Sequence, residues 1–528
     1  MPNRLYYGDN LDVLRRHMRD ESIDLIYLDP PFNSAATYNM LFQSPDGLTS
    51  PAQRKAFEDT WHWTDEAESA FDDVMQSSST RAAELLRALR ECLGENDLTA
   101  YLAMLTVRLI EMHRALKSTG SLYLHCDPTA SHYIKILMDG IFGPKNFRSE
   151  IVWKRTSGHV DSKRYGPVHD TILFYGKSEK IVWNDIFQAY DKGYIEQYYR
   201  YKDDKGRRFM SGDLSAAGLQ GGGYNYEWKG ITRVWRVPVK TMERYEIEGR
   251  IFYTRNGIPR VKRYLDESKG LPAQDVWADI EALRSWHKER LGYPTQKPVA
   301  LLERIIAASS LPGQTVLDPF CGCGTAVHAA QALNRRWIGI DITHLAVDLI
   351  ERRLRQAFGD NAHFSIIGTP VDLDGAKSLA AHDKHEFQLW AIAQIKGVPF
   401  QGGKKGADGG IDGLIYFKPD GKKTERAIIS VKGGENVGVI MIRDLAHVVE
   451  RERAKIGVFL TLAPATKPMQ TEAYRAGFYE TEHGRHLRIQ IISVADLFRG
   501  RKADIPMLDN SAYRSTLEHM PVQESFLI

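Results

Sequence analysis

Four consecutive residues, Asp29-Pro30-Pro31-Phe32, stand directly after the apolar run Ile23-Asp24-Leu25-Ile26-Tyr27-Leu28. Each proline fixes φ and lacks an N–H, so the carbonyls around the pair have no competing neighbour and can accept a hydrogen bond from an exocyclic amine. The carboxylate of Asp29 can accept the second hydrogen of the same amine. An amine held by both hydrogens keeps its lone pair aimed at an incoming electrophile. A methylsulfonium is an electrophile that needs no prior deprotonation of that amine. Phe32 offers a face on which a planar base can stack. A base in a duplex reaches such a pocket only by leaving its stack, at a cost of a few kcal/mol. A bare Pro-Pro pair would read as a loop stiffener; the buried strand, the Asp before the pair and the Phe after it give these prolines their chemistry.

A second turn has the composition of a ligand cradle. Asp318-Pro319-Phe320-Cys321-Gly322-Cys323-Gly324-Thr325 follows the strand-like Thr315-Val316-Leu317 and precedes a helical stretch over residues 326–333. Gly322 and Gly324 carry no Cβ, which lets the backbone approach a ligand closely. Asp341, at the tip of the next strand, can accept hydrogen bonds from ribose hydroxyls. Neither a GxGxxG fingerprint nor a GxxxxGK[ST] loop occurs, which argues against a dinucleotide or ATP site. Cys321 and Cys323 have no second pair to complete a metal site and read as turn and packing residues. Such a turn also suits a purely structural role.

These turns need strands behind them and helices around them. Helical spacing near Leu11 to Arg19, from Leu98 to Leu116 and from Pro298 to Ser310 alternates with apolar runs at residues 23–28, 121–125, 315–318 and 337–341. That alternation predicts an α/β domain with a mostly parallel, doubly wound sheet. Residues 36–97 read as a long polar insertion with some helix. Residues 151–290 lack the alternation, contain Gly221-Gly222-Gly223 and read as an inserted, loop-rich module. The expected division is 1–150, 151–290, 291–367, a linker at 368–383, and a separate domain over 384–528. A length of 528 residues itself predicts about three units.

Composition narrows the setting. Four cysteines are too few for a disulfide framework in this chain, so a reducing, cytoplasmic compartment is expected. The opening residues carry no apolar export region and no stretch approaches eighteen apolar residues, so neither export nor a membrane is signalled. Net charge is only +3, yet residues 151–300 hold 27 Lys+Arg against 19 Asp+Glu, which is +8, leaving −5 for the rest. The same stretch holds 23 of the 54 aromatics, as in Tyr198-Tyr199-Arg200-Tyr201-Lys202. Basic groups neutralise phosphates and aromatic faces stack on unpaired bases, so this third suits nucleic acid. A solvated face over an aromatic core would have the same composition.

Together the two turns resemble those of the amino-group DNA methyltransferases that use S-adenosylmethionine, in the permuted β-group order, with the DPPF segment first and the cofactor segment after a central module. Gly8-Asp9-Asn10, the strand from Gly120 to Asp127, and Tyr293-Pro294-Thr295-Gln296-Lys297-Pro298 resemble further segments of that family, over residues 1 to about 365. The resemblance implies a Rossmann-like fold, catalysis by Asp29, Pro30, Pro31 and Phe32, and a cofactor held by Asp9, Lys297, Asp318, Phe320, Gly322, Gly324, Thr325 and Asp341. It implies a target-recognition role for the central module and double-stranded DNA as partner. Asp at the first catalytic position points to N6 of adenine, with N4 of cytosine as the alternative. The resemblance leaves open a homodimer or separately encoded restriction-system subunits.

The last domain shows a second pattern. Gly409-Gly410-Ile411-Asp412-Gly413 is followed by Ile428-Ile429-Ser430-Val431-Lys432. An acidic residue opening one strand and a Lys closing the next resembles the PD-(D/E)XK nucleases, closest to the restriction endonucleases that sense modified DNA. In such sites an Asp and a second acid hold Mg²⁺ against the scissile phosphate and the Lys stabilises charge. The resemblance implies Asp412 as metal ligand and Lys432 as catalytic residue. Ser430 stands where the second acid is usual, and a hydroxyl is the weaker ligand; Glu386 or Asp408 are the carboxylates that could replace it. The expected alternatives are a bifunctional restriction-modification enzyme and a DNA-gripping module that does not cut.

Overall fold

The computed structural model describes residues 2–31, 37–43, 49–58, 62–156, 165–216, 223–284, 286–291, 293, 295–400, 409–420, 423–482 and 484–506, with 37–58 as backbone only. Phe32, Gly221, Gly222, Pro294 and Asp408 lie outside them.

Nine strands form the first sheet: β1 (Asn3–Tyr7), β2 (Ile23–Leu28), β3 (Leu116–Cys126), β4 (Phe147–Lys154), β5 (His169–Gly176), β6 (Val276–Trp277), β7 (Thr315–Asp318), β8 (Arg336–Asp341) and β9 (Phe364–Ile367). Their order is β6-β4-β5-β3-β2-β7-β8-β1-β9. Only β5 runs against its neighbours; the other pairs are parallel. All six residues of β2 are buried, as expected of a strand covered on both faces. Alternate residues serve opposite layers. Ile26, Leu28, Leu122 and Leu124 pack under helices α1 (Asn10–His17), α2 (Asp65–Gln76), α3 (Thr80–Leu93), α4 (Asp97–Ala115) and α5 (Pro128–Phe142). Leu25, Tyr27 and Tyr123 face α6 (Val299–Ser309), α7 (Thr325–Ala332) and α8 (His344–Phe358). The sheet is therefore doubly wound, as the alternation predicts.

Three segments differ from expectation. Residues 36–97 are not merely polar, because Phe71, Val74 and Leu86 of α2 and α3 enter the core. Within 151–290, the strands β4, β5 and β6 complete the core sheet, and residues 185–274 separate as a unit of their own. That unit holds 17 Lys+Arg against 12 Asp+Glu, a net +5. Its main sheet pairs residues 251–253, 259–264, 208–213 and 201–202 antiparallel around a small core of Leu214, Trp235, Met242 and Ile251. Both chain ends flanking it are fastened to the first domain. Asn184 donates its backbone N–H to the Ala308 carbonyl at 2.7 Å, and the Asp275 carbonyl accepts from Val152 N at 2.8 Å. The expected linker contains helix α9 (Leu373–His382), whose Ala376 and Ala380 are buried in the last domain's core.

That domain has α10 (Lys384–Gln394), a sheet of β10 (Val398–Pro399), β11 (Gly413–Phe417), β12 (Glu425–Lys432), β13 (Ile456–Thr461) and β14 (Ile489–Ser493) in chain order, and helices α11 (Val439–Arg451) and α12 (Lys467–Arg475). β12, β13 and β14 are parallel, while β11 is antiparallel to β12. No described helix is long and apolar enough to cross a membrane.

One buried charge ties three central strands together. Asp24 on β2 accepts from the Thr315 N–H of β7 at 2.9 Å and from Lys117 Nζ of β3 at 2.7 Å, and is 4% exposed. Asp24→Ala leaves a buried N–H and an ammonium without their acceptor. The expected loss is about 2 kcal/mol of unfolding free energy, read as a lower denaturation midpoint.

Candidate active site

Two strands from opposite ends of the domain bring the two turns together. Val316 and Leu317 of β7 pair with Leu25 and Ile26 of β2, so Asp318 and Asp29 emerge at the same sheet edge. A cavity of about 400 Å³ opens there, bordered by Asp29, Pro30, Pro31, Lys297, Asp318 and Asp341 among others. The carboxyl ends of parallel strands are where α/β sheets bind ligands.

The two oxygens of Asp29 are treated differently. Oδ2 accepts from Lys297 Nζ at 2.5 Å, while Oδ1 is buried and has no hydrogen-bond partner among the described residues. An unsatisfied buried acceptor costs about 1–3 kcal/mol, and a donor entering the cavity relieves that cost. The N–H of an amine is such a donor, and the carbonyls of the Pro30-Pro31 turn stand beside it. Lys297, expected among the cofactor residues, lines the same cavity but places its ammonium on Asp29.

Four carboxylates, Asp9, Asp29, Asp318 and Asp341, border the cavity together with the Lys297 ammonium and the Arg108 guanidinium. Burial, then repulsion from Asp29 and Asp341, push the Asp318 carboxyl up to about 8; its Oδ1 accepts from Phe320 N at 3.0 Å. Asp341 fastens the loop: Oδ2 accepts from Gly322 N at 2.8 Å, and Oδ1 accepts from the Thr343 N–H and hydroxyl, each at 2.9 Å. Gly322 has φ +51°, and a Cβ there would lie 3.1 Å from the Tyr293 ring. Gly324, at φ +74°, would drive a Cβ to 2.6 Å from Ile350. Both positions need glycine for shape as well as for ligand approach. Thr325 is buried and accepts from Arg353 Nη1 at 3.1 Å. The Cys321 thiol donates to the Asp318 carbonyl at 3.2 Å.

Asp9 caps α1 by accepting from Leu11 N at 2.8 Å and pairs with Arg108 at 2.8 Å. Arg108 donates to Asn10 at 2.5 Å, and Asn10 donates to the Pro319 carbonyl at 2.9 Å. Arg108 and Asn10 brace the Asp318–Thr325 turn; Asn10 lies in the Gly8-Asp9-Asn10 segment marked by sequence, whereas Arg108 carries no sequence assignment. The signal was available, since Arg108 interrupts an otherwise apolar face of α4.

The donor set suits S-adenosylmethionine. Glycines clear the approach, and convergent carboxylates complement a sulfonium and ribose hydroxyls.

In the last domain, Asp412 immediately precedes β11, whose Gly413 pairs with Ile429 of β12, next to Ser430, and Lys432 closes β12. Asp412 Oδ1 accepts from Gln388 Nε2 at 2.8 Å and Oδ2 from Val431 N at 2.7 Å. Glu386 does not serve this site: it lies two residues from Gln388 on α10, about 200° around the helix, and accepts from the Tyr7 hydroxyl at 3.2 Å. Among the described residues the donors are thus one carboxylate, one amide and one hydroxyl, and no cluster of three metal-binding side chains occurs.

Comparison with known proteins places both domains. Residues 23–352 match the N6/N4 family model described as a DNA methylase, and residues 379–497 match one described as a restriction endonuclease. The type II methyltransferase M.EcaI of Enterobacter cloacae is 30% identical over 378 residues, covering 69% of this chain and 73% of that protein. The type III restriction-modification enzyme StyLTI Mod subunit of Salmonella typhimurium is 29% identical over 358 residues, 63% of this chain and 50% of its own. The DNA adenine methyltransferase YhdJ of Escherichia coli is 26% identical over 362 residues, 68% and 84% respectively. The chain therefore belongs to the N6/N4 DNA methylase family, as a methyltransferase of adenine or cytosine-N4 amino groups that uses S-adenosylmethionine and carries a restriction-endonuclease-like domain.

Proposed function

We propose that the chain methylates N6 of adenine at a specific sequence in double-stranded DNA. The open Oδ1 of Asp29, beside a Pro-Pro turn and a carboxylate-rich cofactor cavity, is the observation that carries this reading. Asp29 accepts one amine hydrogen, a carbonyl of the Pro30-Pro31 turn accepts the other, and Lys297 holds the carboxylate in place. Asp9, Asp318, Phe320, Gly322, Gly324, Thr325 and Asp341 surround the cofactor, whose methylsulfonium supplies the electrophile. The basic unit at 185–274 lies along phosphates and selects the target. Phe32 stacks on the flipped base.

A second reading, favoured by the match over residues 379–497, makes the chain a bifunctional restriction-modification enzyme cutting DNA through Asp412 and Lys432. The pairing of Asp412 with Gln388 and with the Val431 N–H supports instead a DNA-gripping domain that does not cut.

Methylation-sensitive sequencing of DNA from cells expressing the chain should show N6-methyladenine in one sequence context; N4-methylcytosine would move the target to cytosine. Asp29→Ala should lower the methyl-transfer rate at least about 100-fold with cofactor binding retained, and loss of both would count against the assignment. With Mg²⁺, unmodified plasmid should stay intact; cutting that Asp412→Ala abolishes would establish the bifunctional enzyme. Asp318 gives a pH signature. Its carboxyl titrates near 8 when folded and about 4 when unfolded, so the cofactor-free fold keeps the proton and loses stability as pH rises between those values. A sulfonium favours the ionised form, so cofactor affinity should increase as pH rises through about 8. Calorimetry of Asp318→Asn should show that increase gone.

A further inference from the structure

Behind Asp29 runs a chain of buried polar groups that this account of methyl transfer leaves unused. Tyr27 stands two residues before Asp29 at the end of β2, so alternation turns both to one face, and it borders the same cavity. Its hydroxyl lies 3.0 Å from His125 Nδ1, and His125 Nε2 lies 3.1 Å from Asp170 Oδ2. Tyr27 is 2% exposed, and His125 and Asp170 are fully buried. The three come from β2, β3 and β5, adjacent in the sheet. The His125 ring packs edge-on against Trp153 at 5.7 Å, and Arg155 Nη1 lies 3.4 Å from Asp170 Oδ1.

These contacts fix where the hydrogens sit. Burial alone would raise the Asp170 carboxyl, but the hydrogen bond from His125, then Lys297 and Arg155, hold it below the usual range. Asp170 is therefore an acceptor, and His125 Nε2 carries the hydrogen. A neutral ring with Nε2 protonated accepts at Nδ1, so it draws in the Tyr27 hydroxyl hydrogen. What Tyr27 then offers the cavity is an oxygen lone pair. Burial and the charge of Asp29 keep Tyr27 from ionising on its own.

We propose that Tyr27 and His125 take up the proton that methylation forces off the amine, with Asp170 as the residue that positions the ring. This rests on the amine-methylating role of Asp29. As the amine nitrogen bonds the methyl carbon, the carbon–sulfur bond breaks with its electron pair going to sulfur, and nitrogen is left cationic with one proton to lose. That proton passes to the Tyr27 oxygen while Tyr27's own passes to His125 Nδ1. Tyr27 ends neutral, and the imidazolium lies against the Asp170 carboxylate, so the new charge is paired. Asp29 remains the acceptor that orients the amine. The charged and titratable groups around the chain are Asp29 and Asp318 near Tyr27, Asp127 and Lys297 near Asp170, and Arg155 on Asp170 itself.

The test is single-turnover methyl transfer by the full chain across pH, in wild type, Tyr27→Phe and His125→Gln, with cofactor affinity and thermal midpoint measured alongside. Tyr27→Phe removes only a hydroxyl and leaves the ring packing. The expected result is a roughly 100-fold slower transfer with cofactor affinity and midpoint unchanged. A relay that must take up a proton is blocked once it holds one, so the wild-type rate should fall in acid, and Tyr27→Phe should lose that dependence. A Tyr27→Phe or His125→Gln enzyme with the wild-type rate and profile overturns the relay, as does loss of cofactor binding in Tyr27→Phe, which would assign the hydroxyl to the scaffold. If wild type itself methylates no DNA amine, the Asp29 reading fails instead. If Asp29→Ala is inactive and Tyr27→Phe is not, only the relay fails.

Discussion

The pairing of β2 with β7 is the contact on which the rest of the molecule depends. Each strand ends in an acidic turn, and neither turn alone makes a pocket. Closing so long a loop costs entropy that grows only slowly with length, while two fully covered apolar strands gain burial on both faces. Asp24 adds direction to that gain, since its two oxygens reach β7 and β3 at once. A slip of one residue would turn Asp24 to the wrong neighbours and Tyr27 to the wrong layer.

That pairing also concentrates charge. Four carboxylates open onto one cavity against two side-chain cations, Lys297 and Arg108, an arrangement that is costly when dry and fitting for a cation. The Asp9–Arg108–Asn10 chain spreads the arrangement backwards into α1 and α4, so the Asp318–Thr325 turn is braced by a helix far from it in sequence. The excess of positive charge sits elsewhere, in the unit at 185–274.

The parts legible from sequence are those whose chemistry is local. Asp29-Pro30-Pro31 and Asp318 through Thr325 announce themselves because a strand, a turn and an acidic residue are contiguous. The Lys297–Asp29 pair and the Tyr27–His125–Asp170 chain join residues from separate strands and loops, and no spacing rule connects them. Helices α2 and α3 look polar in sequence because charges surround their few core residues, Phe71, Val74 and Leu86. β4 and β5 fall within or at the edge of the inserted module expected at 151–290, because an antiparallel pair interrupts the strand–helix alternation. In the last domain the substitution at Ser430 was visible against a resemblance, whereas Gln388 was not, since a neutral residue on a helix carries no mark until its partner Asp412 is seen.

The fastening of Asn184 to the end of α6 and of Asp275 to β4 means that the chain leaves the sheet and rejoins it through backbone contacts that depend little on which side chains lie between. A segment held at both stumps in this way can be exchanged whole. One unit could then be replaced by recombination while the fold around the Asp29 and Asp318 turns is inherited intact.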